Sequence, residues 1–426
     1  MPKFLTLDDI DPAGKTVLLR ADLNVPMKDG AVSDATRLER LAPTILELTG
    51  KGARVIVMSH FGRPKDREPD LSLAPIVPAL ARALGGRPVA FAHDCIGPAA
   101  RRAVRELGNG GDAMREAPPF TVGMTGFSIA PSSTATVLLL ENLRFHKEEE
   151  ANDAHFARGL AALGDLYVND AFSVSHRAHA SIEAITHLMP AVAGRLMQAE
   201  LDALGSVLET PERPVMAIVG GAKVSTKLDL LEYILGKVDI LVIGGAMANT
   251  LLFARGVEVG KSLVERDLEE TAHALLARAQ KLGRELVLPV DAVVAPRLAP
   301  GEPTDTVAID RVPSDHMILD IGRRSVAEIG ALLDDARTLL WNGPVGAFET
   351  KPFDAGTIAL ARHAASLTRA GKLTSVAGGG DTVAALAAAG VTEAFSYVST
   401  AGGAFLEWIE GRDLPGVAAL ARAAVR

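Results

Sequence analysis

The sequence holds a single cysteine, Cys95, in 426 residues. No intramolecular disulfide can form, nor a zinc site built from several cysteines, and a reducing compartment fits. Aromatic residues make up only 4% of the chain, so Ala, Val, Leu and Gly must fill the core. No run of about 18 apolar residues exists, which excludes a membrane-spanning helix. Met1 to Ile10 is polar and acidic, without a signal-peptide pattern, so a cytoplasmic protein is expected. There is no excess of positive charge either: 44 basic residues face 52 acidic ones, a net charge of −8. That argues against a protein whose main task is gripping nucleic acid. It leaves room for a small anion held by a local arginine cluster.

What is present reads as an α/β protein. The composition, 48% hydrophobic and 23% charged, is that of an ordinary globular chain. At about 100–200 residues per domain, two or three domains are expected. Short apolar runs predict strands at Val17–Arg20, Arg54–Ser59, Val89–Ala92, Val137–Leu140 and Leu166–Asn169. A second set follows at Val215–Val219, Ile240–Ile243, Glu285–Val290, Thr338–Trp341, Leu373–Ala377 and Phe395–Val398. Helical periodicity separates them, as in Leu38, Leu41, Ile45 and Leu48 before Gly50. Alternating strands and helices mean parallel sheets. Eleven strands exceed one open sheet comfortably, so two doubly wound, Rossmann-like domains are expected. The join falls at Ala191–Glu209, read as one helix followed by Pro211 and Pro214, a natural lever for hinge motion. Gly108–Thr136 has no period and reads as a long surface loop.

In open α/β sheets, ligands bind at the carboxyl ends of the strands. In the first half these ends deliver Asp22, Asn24, His60, Arg63, Arg144, His176 and Arg177, with Arg37 opening the next helix. Arginines bind phosphate and carboxylate through paired planar hydrogen bonds, so an anion site is expected. His176 and His179 are spaced H-x-x-H, a weak metal pattern without the flanking carboxylate of H-E-x-x-H. In the second half the strands end in glycine: Gly220-Gly221, Gly244-Gly245, Asn342-Gly343, Gly378-Gly379-Gly380 and, after Ser399, Gly402-Gly403. Glycine lets backbone N–H groups approach phosphate, and a helix start adds favourable potential. Asp381 is placed to hold Mg²⁺ on a polyphosphate. Lys223 and Lys227, read as one helical turn apart, face the same anion. Gly256–Ser262 resembles a P-loop but has three residues between its glycines where four are needed, and no G-x-G-x-x-G follows the first strand. A dehydrogenase is therefore unsupported. A non-catalytic nucleotide sensor would not need the arginines of the first half.

These residues carry a resemblance. The stretches Arg20–Pro26, Ser59–Lys65, Glu141–His146, Val168–Ser181, Gly220–Lys227, Trp341–Glu349, Gly378–Thr382, Ser399–Ala404 and Leu414–Leu420 are similar, in order, to those of the phosphoglycerate kinase family. The resemblance implies a two-domain, hinge-bending, monomeric glycolytic enzyme. It would move phosphate between 1,3-bisphosphoglycerate and ADP with Mg²⁺, giving 3-phosphoglycerate and ATP. It implies an N-terminal substrate domain (residues 1–190), the connecting segment 191–209, a nucleotide domain 210–406, and a segment 407–426 returning to the first domain. Asp22, Asn24, Arg37, His60, Phe61, Gly62, Arg63, Arg144 and Arg177 would bind 3-phosphoglycerate. Lys223, Lys227, Gly244, Gly245, Asn342, Glu349, Gly379, Gly380, Asp381 and Thr382 would bind nucleotide, with Asp381 on the metal and Arg37, Lys223 and Lys227 in catalytic roles. Leu23, Ser173, Ser175, Arg323 and Ala401 depart from the family's usual Phe, Gly, Ala, Pro and Gly.

Overall fold

The computed structural model describes residues 3–108, 120–121, 128–129 and 135–425. The chain divides into two compact units, one comprising Met1–Leu201 with Asp413–Arg426, the other Asp202–Arg412.

The first unit is built on six strands in the order Ala191–Ala193, Leu166–Asn169, Thr16–Arg20, Arg54–Met58, Val137–Leu140, Val89–Ala92. All pairs are parallel. Almost every residue of these strands is buried, as expected when helices cover both faces of a sheet. The helix Thr36–Gly50 inserts the stripe read from the sequence, Leu38, Leu41, Ile45 and Leu48, each at most 2% exposed, into a core cluster of this unit. Each such side chain contributes about 1.5–3 kcal/mol of burial. Pro43 sits on that helix's exposed side, where its missing N–H costs one helical bond but no core packing.

The second unit repeats the plan. Its parallel strands lie in the order Glu285–Val287, Ile240–Gly244, Val215–Gly220, Thr338–Asn342, Thr374–Gly378, Tyr397–Ser399. A second, antiparallel sheet of Asp305–Ala308, Asp291–Ala295 and Met317–Ile321 stands apart from it. None of its three strands is among those expected from the apolar runs. Its strands are short, and Asp305–Ala308 is half-exposed and lacks an apolar run.

Three expectations are corrected. Ala191–Glu209 is not one helix: Ala191–Ala193 is a strand beside Tyr167–Asn169, and the helix runs Arg195–Leu208. Gly194 separates the two because a Cβ there would stand 2.3 Å from Asp170 Oδ1. The boundary between units falls inside that helix. Residues 407–412 belong to the second unit: helix Gly403–Ile409 packs on helix Leu228–Leu235, and Arg412 pairs with Asp229 at 3.0 Å. The first unit is rejoined at Asp413. Helix Pro415–Ala423 packs on Ala191–Ala193 and on the turns Phe172–Val174 and Ala184–His187. The third correction concerns Glu285–Val290, where strand pairing stops at Val287, two residues before Pro289. Most of Gly108–Thr136, expected as a loop, lies outside the described residues; a short antiparallel pair joins Phe120–Thr121 to Ser128–Ile129.

Candidate active site

In the first unit the four central strands end side by side, and a polar segment follows each. Arg37, at the second position of its helix, donates from Nη1 to Asp22 Oδ2 at 2.6 Å and to the Asn24 carbonyl at 3.1 Å. Ser173 Oγ donates to the same carboxylate oxygen at 2.6 Å. Ser173 is one of the departures from the family pattern, and it gives Asp22 an additional partner. Burial works to raise the Asp22 pKa, but Arg37, Ser173 and the Asn24 amide hold it below its usual value. Asp22 therefore stays ionised and fixes Arg37.

The segment His60–Arg63 is anchored from two sides. The Gly62 amide donates to Asn24 Oδ1 at 3.0 Å, and Arg144 Nη1 donates to the Gly62 carbonyl at 2.7 Å. Asn142 clamps Phe61 by accepting from its N–H at 3.1 Å and donating to its carbonyl at 2.8 Å. Glu141 in turn accepts from the Asn142 and Leu73 amides at 2.8 and 2.9 Å and from Ser72 Oγ at 2.7 Å. In the motif Glu141–His146 the sequence points to Arg144. Glu141 and Asn142, both buried, are the residues that hold the loop, and their signal was two polar residues directly after an apolar strand.

Beneath this surface lies Arg20, fully buried, whose Nε donates to Ser181 Oγ at 2.8 Å and whose guanidinium also meets the Ala21 carbonyl. Its Nη2 stands 3.3 Å from His60 Nδ1. Since an arginine can only donate, Nδ1 accepts and the His60 proton sits on Nε2. Burial, reinforced by Arg20, pushes His60 down to about 3, so the ring is neutral at physiological pH. His179 is lowered to about 4 by burial, then by Arg20, Arg144 and Arg177. The guanidinium groups around His179 oppose a cation there. Arg63 and Arg177 are exposed, and Arg37 and Arg144 half-buried. The region presents guanidinium groups over a buried positive charge, which is the electrostatic form of an anion site.

In the second unit Lys227 Nζ donates to the Gly220 carbonyl at 2.6 Å and to Asn342 Oδ1 at 2.7 Å. Burial lowers its pKa to about 8, with Asp381 opposing the shift. Asn342 Nδ2 donates to the Gly378 carbonyl at 2.8 Å, and Thr382 Oγ1 accepts from Gly343 N at 2.7 Å. These bonds tie together the ends of three adjacent strands. Gly245 (φ +67°) and Gly379 (φ +97°) precede helices Ala246–Ala254 and Gly380–Ala389. A Cβ would collide with Gly221 O at 2.7 Å in the first case and Asn342 Nδ2 at 2.6 Å in the second. Gly245, Glu349 and Asp381 line one cavity of about 340 Å³, together with apolar residues such as Leu319, Val345 and Phe348. Gly244 packs against Val345 just behind that wall, while Gly380 and Thr382 flank Asp381 in the first turn of its helix.

Lys223 and Lys227 are not one helical turn apart. The Lys227 amide closes a turn on the Val224 carbonyl at 2.9 Å, and the helix begins only at Leu228. Lys227 is drawn inward by Gly220 and Asn342, whereas Lys223 is exposed. Of the departures, Arg323 is exposed at a helix start whose next two amides, Arg324 N and Ser325 N, are already bound by Asp291 at 3.0 and 2.8 Å. Asp381 is exposed at the first turn of its helix. One hard carboxylate oxygen, completed by substrate phosphates and water, is a donor set that suits Mg²⁺, so the residues present fit that ion.

Arginines gathered at the strand ends of one unit, and glycine turns with a lysine and an aspartate at those of the other, define an α/β enzyme that handles phosphate groups. The family model described as "Phosphoglycerate kinase" matches residues 7–117 and 124–412. The phosphoglycerate kinase of Methylorubrum populi is 59% identical over 422 residues, covering 99% of each chain. The solved phosphoglycerate kinase of Coxiella burnetii superposes with a TM-score of 0.85 at 38% identity, and that of Pyrococcus horikoshii OT3 with 0.74 at 28%, each covering 99% of both chains. The chain belongs to the phosphoglycerate kinase family. It is a kinase, a transferase of glycolysis, from a family whose substrates are 3-phosphoglycerate and ATP.

Proposed function

We propose that the enzyme binds 3-phosphoglycerate and its 1-phosphorylated form on the first unit and the nucleotide on the second. Direct in-line phosphoryl transfer then follows a closing movement about helix Arg195–Leu208. The observation that carries this reading is the division of the basic strand-end cluster and the glycine-turn cavity between two separately folded units. Asn24, Arg37, His60, Phe61, Gly62, Arg63, Arg144 and Arg177 take the substrate's phosphate and carboxylate, and Asp22 keeps Arg37 aimed. The Arg37 guanidinium serves both binding and transfer. Gly244 and Gly245 border the base, Glu349 meets the ribose, and Gly379, Gly380 and Thr382 cradle phosphate beside Asn342. Lys223 and Lys227 neutralise charge on the transferring group. Asp381 is the residue that would hold Mg²⁺, and the bound ion would neutralise oxygens of the polyphosphate.

No side-chain nucleophile is required. Positioning and charge stabilisation account for catalysis, and closure keeps water from the acyl phosphate. A lysine with pKa about 8 is charged in most molecules at neutral pH, and an incoming phosphate favours its protonated form further. We take the working species to be a cytoplasmic monomer.

The test supplies 3-phosphoglycerate and MgATP, with an added dehydrogenase that consumes 1,3-bisphosphoglycerate and NADH. Loss of NADH absorbance that needs Mg²⁺ and is abolished by Asp381→Ala supports the assignment. Calorimetry giving Asp381→Ala the wild-type MgADP affinity rejects Asp381 as the metal ligand. Folded protein that binds MgADP and turns nothing over would point instead to a nucleotide sensor.

A further inference from the structure

Among the described residues, Asp320 is the one titratable group in the wall of the nucleotide cavity that the roles above leave unused. It lies near the end of strand Met317–Ile321, is 2% exposed, and lines the cavity. Its Oδ2 accepts from the Gly356 amide at 2.7 Å and its Oδ1 from the Ile321 amide at 2.8 Å. The carboxyl lodges against Gly346 and Gly356. A Cβ on either would stand 2.2 or 2.6 Å from Oδ1, so both positions are shaped around this group. The neighbouring turn is fastened on either side of it: Ala347 N donates to the Leu319 carbonyl at 2.8 Å, and Val345 N to Thr357 Oγ1 at 3.1 Å. That turn supplies Pro344, Val345, Phe348 and Glu349 to the cavity.

The charged group that acts on Asp320 bears its own sign. Asp354, just before helix Ala355–Arg369, acts on it directly. The turn contributes Glu349, and the start of helix Gly380–Ala389 contributes Asp381, both in the same cavity. The paired strand Asp291–Ala295 contributes Asp291, whose carboxylate is already held by Ser325 Oγ and the Arg324 and Ser325 amides. Helix Ala246–Ala254 brings no titratable side chain. Among the described residues no cation pairs with Asp320.

We propose that Asp320 is a positioning residue for the nucleotide: its uncharged carboxyl buttresses the Pro344–Glu349 turn, and acquiring a negative charge there weakens nucleotide binding. This rests on the nucleotide reading of the cavity. Two physical effects give the same sign. A bound nucleotide displaces water from the cavity, and removing water disfavours a buried carboxylate over its acid. The nucleotide also brings its own negative charge toward the group. Burial already holds the Asp320 pKa up at about 7 against the Gly356 and Ile321 amides, whose hydrogen bonds lower it, and Asp354 adds to the rise. Binding should raise it further, so binding takes up a proton.

Titration calorimetry with ADP, in buffers of different ionisation enthalpy, reads that proton directly. The wild type should take up about a quarter of a proton more than Asp320→Asn near pH 7. Its ADP affinity should fall about 2.5-fold from pH 6 to pH 8 relative to that variant, as a half-unit displacement of one carboxyl requires. ADP's own titration is common to both proteins and cancels. Asp354→Asn, which leaves the buttress in place, should shift the wild-type profile to lower pH without changing affinity at pH 6. Should Asp320→Asn fail to fold, the Asp354→Asn shift decides the matter alone. Identical profiles and proton uptake in all folded proteins overturn the proposal. Absence of ADP binding at every pH overturns instead the nucleotide reading beneath it.

Discussion

At the residue scale the substrate-side cluster separates into side chains that would touch the ligand and side chains that aim them. Arg37 is half-exposed but held by Asp22, so its removal should affect transfer more than folding. Arg37→Ala should lower turnover about 10²–10³-fold, by analogy with other removed electrostatic donors, while MgADP affinity stays at the wild-type value. Steady-state kinetics beside calorimetry would check this, and unchanged turnover would end the catalytic role of Arg37. Asn142 acts one step back. Asn142→Ala frees both the N–H and the carbonyl of Phe61. We expect the KM for 3-phosphoglycerate to rise about tenfold or more, the equivalent of losing about 1–2 kcal/mol of positioning hydrogen bonds. The KM for MgATP should hold. Equal increases for both substrates would mean general destabilisation rather than loop positioning. Arg63, Arg144, Arg177 and the glycine turns were legible in the sequence because each lies in a segment that follows an apolar run. The roles of Arg20, Glu141, Asn142 and Asp320 are not legible there, because burial is decided by neighbours from distant segments. Ser181, which receives the Arg20 Nε hydrogen, lies 161 residues away in the chain.

At the scale of elements, helix Arg195–Leu208 is fastened at its start by charge. Arg195 bonds Glu47 with Nε and Nη2, each at 2.7 Å, and Asp8 with Nη1 and Nη2 at 2.7 and 2.6 Å. Hydrogen bonds from Arg195 outweigh the opposing effect of burial and lower Glu47 from 4.5 to about 2. A carboxylate depressed in the folded state contributes stability that is present above its unfolded pKa and lost as pH falls through the folded one. The wild-type Tm should therefore drop between about pH 4.5 and pH 2 more steeply than that of Arg195→Ala. Parallel Tm curves for the two proteins would reject the coupling. The same helix shows where periodicity misled: Ala191–Ala193 is apolar and continuous with the helical pattern, and only strand pairing to Leu166–Asn169 decides its conformation. The antiparallel sheet around Asp291 is the larger omission. It supplies Met317, Leu319 and Asp320 to the cavity, yet its edge strand Asp305–Ala308 lacks the apolar run by which strands are read.

At the scale of the whole molecule, the proposed closing movement makes the two ligands cooperative. Transfer needs both, so small-angle scattering should detect compaction when 3-phosphoglycerate and a non-hydrolysable MgATP analogue are present together, and less with either alone. A scattering profile indifferent to both ligands would remove domain closure from the mechanism. The two parallel sheets were legible because buried parallel strands read as unbroken apolar runs. The membership of Asp413–Arg426 rested on resemblance alone, since helix Pro415–Ala423 looks in sequence like any amphipathic helix.

That returning helix also bears on how the protein is made. Gly416 N donates to the Ser175 carbonyl at 2.9 Å, and Arg422 pairs with Glu183 at 2.7 Å, so the unit begun first at the ribosome contains residues translated after the entire second unit. Domains generally fold in the order of synthesis. Here that order is reversed for completion: residues 202–412 can finish folding on the nascent chain while the earlier unit waits, its Ser175 carbonyl and Glu183 still wet. A premature stop shortly before Asp413 would thus leave its lesion in the half of the enzyme translated first.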